Sequence, residues 1–234
     1  MTRDRFALPH ARALITLLAV LTLAACAVAT DPLDPGGPMT LLPDPIPAGV
    51  DPSPAAGSCV VDGASFDDDV TVPKGTSCEF IDVTIDGNLV IASGASVTSL
   101  RGSVNGNVLV YPNASYAANL TSVGGNVQAE RAAEVALDMA QIGGNVQTTA
   151  TTSLSVTEGF VDGDIQPDDG GSVLIDQVLV GGNIQVYDNR GGVVITDNEV
   201  DGNLQCQDNS PAPTGGGNVV HGNAEDQCES LAAG

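Results

Sequence analysis

The feature that most constrains this chain is a spacing. Val-Gly-Gly-Asn-Val-Gln at 123 to 128 returns as Ile-Gly-Gly-Asn-Val-Gln at 142 to 147, nineteen residues on. The glycine before Asn or Asp falls at Gly87, Gly106, Gly125, Gly144, Gly163, Gly182, Gly202 and Gly222, in five steps of 19 and two of 20. With that glycine as position 1, positions 3, 5, 11, 13 and 18 are mostly Val, Ile, Leu or Ala, and Gly, Asn, Asp and Ser lie between them. Brief apolar alternations bounded by turn formers read as short strands. A strand unit this small cannot bury its own apolar side, so successive copies must stack to make a core. The expectation is an all-β fold, a single-stranded parallel β-solenoid of about nine coils with 19–20 residues per coil, its handedness left open. At about 4.8 Å per coil the rod would be roughly 40 Å long.

Phase then assigns roles. Glycine at position 1 is expected to supply a tight corner with φ > 0. The next residue, Asn88, Asn107, Asn126, Asn145, Asp164, Asn183, Asn203 or Asn223, would stack on its equivalents as an amide ladder, of the kind Asn forms in cross-β stacks. Position 4 carries Gln128, Gln147, Gln166, Gln185 and Gln205, preceded by Val90 and Leu109. That outward row is expected to satisfy itself as a second ladder; its alternative use is to meet a polymer of matching repeat. The segment Ala-Glu-Arg-Ala-Ala-Glu-Val-Ala-Leu-Asp-Met-Ala-Gln at 129 to 141 is rich in helix formers. It nevertheless fills positions 5 to 17 of an undisturbed unit, with Val135 and Leu137 inward, so phase predicts strand and turn.

The same register places four cysteines. Residues 68 to 86 fit a coil without the Gly-Asn pair, with Cys78 at position 11 and Cys59 nineteen residues earlier. Adjacent rungs lie about 4.8 Å apart, within the Cα range a disulfide tolerates. Cys206 and Cys228 are 22 apart near the other end. The expected bridges are Cys59–Cys78 and Cys206–Cys228, stapling the terminal rungs where an open edge would fray or recruit another chain. Without a Cys-x-x-Cys or a nearby His pair, no zinc site is expected.

Ahead of the repeats, Arg3, Arg5 and Arg12 precede an apolar run, Ala13 to Ala25, that ends in Leu23-Ala24-Ala25-Cys26. The run is too short to span a bilayer comfortably. This tetrapeptide resembles the bacterial lipobox, which implies that residues 1 to 25 are a lipoprotein signal peptide and that Cys26 is acylated. Two or more acyl chains anchor a protein stably. Residues 26 to 58 form the lipidated Cys and a tether holding eight of the fourteen prolines, including four Asp-Pro pairs. Such a segment is extended and semi-rigid. The solenoid would run from 59 to 230, followed by a short tail at 231 to 234.

Charge narrows the partners. Residues 26 to 234 keep 28 of the 29 acids and four of the seven bases, Lys74, Arg101, Arg131 and Arg190, for a formal net charge of −24. Phosphate binding needs clustered Lys and Arg, so nucleic acid is excluded. The expected partners are the bilayer, through acylated Cys26, and a cell-wall or surface polymer, with the chain itself a monomer.

Chemistry finds little support. A catalytic triad needs His, and His221 is the one His after the signal peptide, at a corner of the last motif. Carboxylates such as Asp67, Asp68, Asp69, Asp162, Asp164, Asp168 and Asp169 could in principle hold Ca²⁺ through oxygen. Neither the calcium-binding nonapeptide nor an EF-hand loop occurs, so solvated turn residues are expected, with no cofactor and no metal. Four scattered bases do not make the acid–base groove of a pectin-cleaving β-helix, and the chain lacks Trp, with only Tyr111 and Tyr187 sharing an outward position. No face carries ranks of Thr for ice. The short coils loosely resemble those of bactofilins, cytoplasmic scaffolds that polymerise through bare ends; export and disulfide capping set this chain apart. The function expected is that of a membrane-anchored extracytoplasmic lipoprotein, in the cell envelope, whose solenoid is a non-catalytic structural or interaction surface. The alternatives are a glycan-binding adhesin or a carbohydrate-active enzyme.

Overall fold

The structure, a computed structural model, describes residues 57–233. Each coil contributes one strand to each of three parallel sheets, and every sheet has nine strands. In the coil that begins at Gly87 the strands are Leu89–Ile91, Ser96–Leu100 and Ser103–Val104. Each pairs in register with its equivalent nineteen residues away, Ser96 with Ser115 and Leu89 with Val108. This is the β-solenoid that the spacing predicts. The segment at 129 to 141 is strand and turn, with Glu134–Asp138 paired to Ser115–Asn119. Its helix propensity yields because a helix there would leave the edges of both neighbouring coils unpaired.

The inward side chains follow the sequence pattern and exceed it. Position 3 is fully buried in seven successive coils, through Leu89, Val108, Val127, Val146, Ile165, Ile184 and Leu204. Position 18 stacks Ile85, Val104, Val123, Ile142, Val161, Val180 and Val200, none more than 3% exposed. Two corner sites also turn inward, where short side chains fit: Ala95, Ala114 and Ala132 at one, Thr121 and Ala140 at the other. The one aromatic ring among the largest fully buried side chains, Tyr116, lies among such small neighbours, sharing its coil with Ala114 and Ala118. Its hydroxyl makes no hydrogen bond. Burial pushes its pKa up, and its polar neighbour, the Ser99 hydroxyl, is engaged 3.1 Å from Thr121 Oγ1.

The position-1 glycines correct one expectation. None of Gly87, Gly106, Gly125, Gly144, Gly163, Gly182, Gly202 or Gly222 has a positive φ. They are required by close approach. A Cβ on Gly144 would stand 2.5 Å from Asn126 Oδ1 and 2.9 Å from the carbonyl carbon and oxygen of Gly125. The left-handed corners lie elsewhere and mostly hold other residues. One column runs Gly63, Asp82, Arg101, Leu120, Met139, Glu158, Gln177 and Asp197, with φ between 48° and 62°. A left-handed residue costs on the order of 1–2 kcal/mol, which the interlocked coil on either side overrides. In this column Arg101 donates to both oxygens of Asp82 at 2.9 Å and lowers its pKa. Both side chains are half exposed, so the pair adds little stability.

The C-terminal end is closed. Leu231, in the 3-10 turn Glu229–Leu231, is 4% exposed, and Ala232 bridges to Asn218. The cap therefore reaches past residue 230, into the residues that the sequence alone places in a tail. The extra residue of the first twenty-residue coil lies around Arg190–Gly192, between the pairs Asp168–Tyr187 and Val173–Val193, and Gly192 there has φ +92°.

Two outcomes follow from this packing. Gly144→Ala should cost about 1–3 kcal/mol by overpacking, whereas Gly94→Asn, at φ +69° where the next coil already holds Asn113 at φ 60°, should cost under about 1 kcal/mol in urea denaturation, because Asn tolerates the left-handed region. Tyr116→Phe should leave stability unchanged or raise it by about 1 kcal/mol, because it removes a buried hydroxyl without a partner; a lowered midpoint would reveal a bond the structure lacks.

Candidate binding surface and the amide ladders

The position-2 asparagines form the expected ladder. Asn88 Oδ1 accepts the backbone N–H of Asn107 at 2.8 Å and its Nδ2 at 3.1 Å. Asn107 does the same for Asn126, and Asn126 for Asn145. The row begins on a carboxylate, Asp69 Oδ1, 2.7 Å from Asn88 N. Asp164 continues it by accepting from Asn183. Each side-chain oxygen thus satisfies a corner N–H that β-pairing leaves over. Its acceptor capacity goes to the fold.

Two further asparagine rows lie inside the last coils. Asn189 and Asn198 receive no more than 1% exposure. Asn209 Oδ1 accepts from the backbone N and Nδ2 of Asn189, and Gln227 Oε1 closes this row. Asn218 Oδ1 accepts from Asn198 in the same way, and its own Nδ2 donates to Leu231 O. Their signal in the sequence was an Asn pair twenty residues apart at each corner, masked by the abundance of Asn in turns.

The outward glutamines form a chain of opposite direction. Gln128 Nε2 donates to Gln147 Oε1 at 3.2 Å, Gln147 to Gln166 at 2.8 Å, Gln166 to Gln185 at 2.6 Å and Gln185 to Gln205 at 2.9 Å. Gln205 ends on Glu225 Oε2 at 2.7 Å. At the other end Leu109 occupies the row and offers no polar atom. Here the sheet face sinks into a groove of about 500 Å³, bordered by Leu109, Tyr111, Gln128, Glu130, Gln147 and Thr149. A second hollow of about 330 Å³ lies on the far side of Tyr111, against Val90, Ala92, Ser93 and Lys74. Tyr187 shares the outward position of Tyr111 but is tied to the ladder, its hydroxyl 3.3 Å from Gln205 Oε1.

The remaining sequence candidates are scattered. Cys59–Cys78 and Cys206–Cys228 are both bonded, with Cα atoms 4.5 and 5.2 Å apart. The first joins paired residues of neighbouring strands; the second fastens the C-terminal cap to the core, with Cys206 and Cys228 fully buried. His221 is exposed at a corner, 3.3 Å from Glu199 Oε1. Among the described residues no group of three His, Cys, Asp or Glu converges as a metal site. Cys26 lies outside the described residues. No family model, no curated protein and no solved structure matches this chain.

The faces therefore divide into ladders consumed by the fold and one ladder presented to solvent. Asn126→Ala should lose about 1–3 kcal/mol, since it strips acceptors from Asn145. Gln147→Ala, on the outer face, should cost well under about 1 kcal/mol, because water replaces its partners. Equal losses in thermal or chemical denaturation would show that the outer ladder is structural too.

Proposed function

We propose that the protein is a membrane-anchored extracytoplasmic lipoprotein whose solenoid serves as a non-catalytic interaction surface. The observation that carries this reading is a division of labour along one chain. A lipobox-like Leu-Ala-Ala-Cys26 is followed by a proline-rich segment and then by a rigid repeat domain. Two disulfides in so small a domain suit an oxidising compartment outside the cytoplasm.

The case against catalysis rests on regularity. Active sites concentrate unusual residues on irregular loops or in clefts. Here the coils differ in length by one residue, and the groove at Tyr111 has one carboxylate, Glu130, at its border, paired with Arg131 at 3.0 Å. The closed C-terminal end, with Leu231 over the core, supports a monomer over a bactofilin-like filament, because stacking through that end would require the cap to open.

Replacing Cys26 by Ser should abolish incorporation of labelled fatty acid and release the chain from membranes on fractionation. Membrane retention with acyl label after Cys26→Ser would sink the lipoprotein assignment. Hydrolysis of any glycan by the purified chain, lost on changing one carboxylate, would sink the non-catalytic one.

A further inference from the structure

We propose that the groove at Tyr111 and Gln128 binds a neutral, extended polysaccharide laid along the solenoid axis, with Tyr111 stacking on one sugar and the glutamine row meeting the hydroxyls that follow. The proposal deepens the reading of the solenoid as an interaction surface and rests on it.

The first support is the open end of the ladder. Every glutamine from Gln128 to Gln205 donates in one direction, and the far end is closed by Glu225. Gln128 Oε1 is therefore the row's starting acceptor, and among the described residues no protein donor reaches it. A ligand hydroxyl donating there would extend a polarised chain of five amides, each bond strengthening the next. Gln128, Gln147 and Gln166 also keep one N–H and at least one lone pair after their ladder bonds are made, whereas Gln185 and Gln205 spend theirs on Tyr187. Those free groups recur at about 4.8 Å, one per rung. A sugar polymer carries donors and acceptors along its edge in similar succession.

The second support is the break in the repeat. Where the glutamines stop, Leu109 and Val90 continue the row and Tyr111 stands beside them, 46% exposed. The ring stands where the two hollows adjoin. An aromatic side chain with an apolar body and a polar tip suits a pyranose, whose axial hydrogens form an apolar face. The two hollows meet at Tyr111, so a chain can cross the ring rather than end on it.

Charge selects the polymer. Within the main groove the one carboxylate, Glu130, is matched by Arg131, and Lys74 at the second hollow is the one further charge. The groove is thus close to neutral on a chain with a formal net charge of −22. An anionic polysaccharide is repelled by the surrounding acids, and a cationic one would be drawn to the acidic corners instead. A neutral polymer meets neither obstacle.

The test is titration calorimetry of the detergent-solubilised full chain with hexasaccharides of β-1,4-linked glucose and of β-1,4-linked N-acetylglucosamine, with oligogalacturonate as the anionic control. Saturable binding of a neutral hexasaccharide is expected, weakened on the order of five- to tenfold by Tyr111→Ala and by Gln128→Leu. Tyr111→Phe should retain the affinity, and Gln205→Leu, four rungs away, should change it by less than about twofold. All three side chains point outward, so unchanged thermal melts will certify that the four variants fold. Absence of saturable binding to both neutral sugars, indifference to Tyr111→Ala, or preference for oligogalacturonate would each overturn the proposal. Membrane fractionation separates the two readings: no sugar binding by a chain that remains membrane-held overturns this proposal alone. Release of the unaltered chain from membranes overturns the anchoring alone.

Discussion

The whole structure depends on how closely one coil sits on the next at the Gly-Asn corner. There the backbone of position 1 donates directly to the equivalent carbonyl below, as Gly106 N does to Gly87 O at 3.0 Å. Asn88, in that lower coil, reaches up with its side-chain oxygen to accept the next N–H in line, that of Asn107. Nothing larger than hydrogen fits between. This contact holds adjacent coils in a single register, and a one-residue slip would turn every inward Val, Ile and Leu outward. The ladder is therefore a register device as much as a source of stability. Glycine is required because a Cβ would push the coils apart, and backbone handedness at that residue has no part in it.

Once that step is set, other positions are freed from local preference. Leu120 and Met139 occupy left-handed corners, which disfavour side chains of their size, and residues 129 to 141 become strand against their helical tendency. In each case hydrogen bonds to the coils above and below outweigh the preference of the residue itself. Buried polar groups are handled by the same stacking. Asn189, Asn198, Asn209 and Asn218 sit inside the last coils, where their amides bond along the rod and to carbonyls of inward strands. Such residues would be costly in isolation; in a stack each supplies what its neighbour lacks.

Function in a repeat is found where the repeat departs from itself. The asparagine rows are saturated and face inward or along corners, and they offer a partner little. The glutamine row is bonded along its length and open at Gln128, beside the exposed ring of Tyr111. This face runs lengthwise along the solenoid, a geometry matched to an extended polymer more than to a small molecule.

The sequence by itself determined the solenoid, its period, its five main inward positions, the Asn and Gln rows and both cysteine pairs. Those follow from residues nineteen or twenty apart occupying equivalent sites, which can be counted without coordinates. Tertiary structure alone decided which property of glycine matters, because φ > 0 and close approach demand the same residue and only the neighbouring coil tells them apart. It also decided that the two Asn pairs of the last coils are buried, since Asn is as common in exposed turns as in ladders. The groove at Tyr111 was invisible for a related reason. Its walls come from residues on successive coils whose separation in space is one rung, and whether an outward ring lies flat, bonds to the ladder as Tyr187 does, or stands between two hollows depends on the neighbours stacked above and below it.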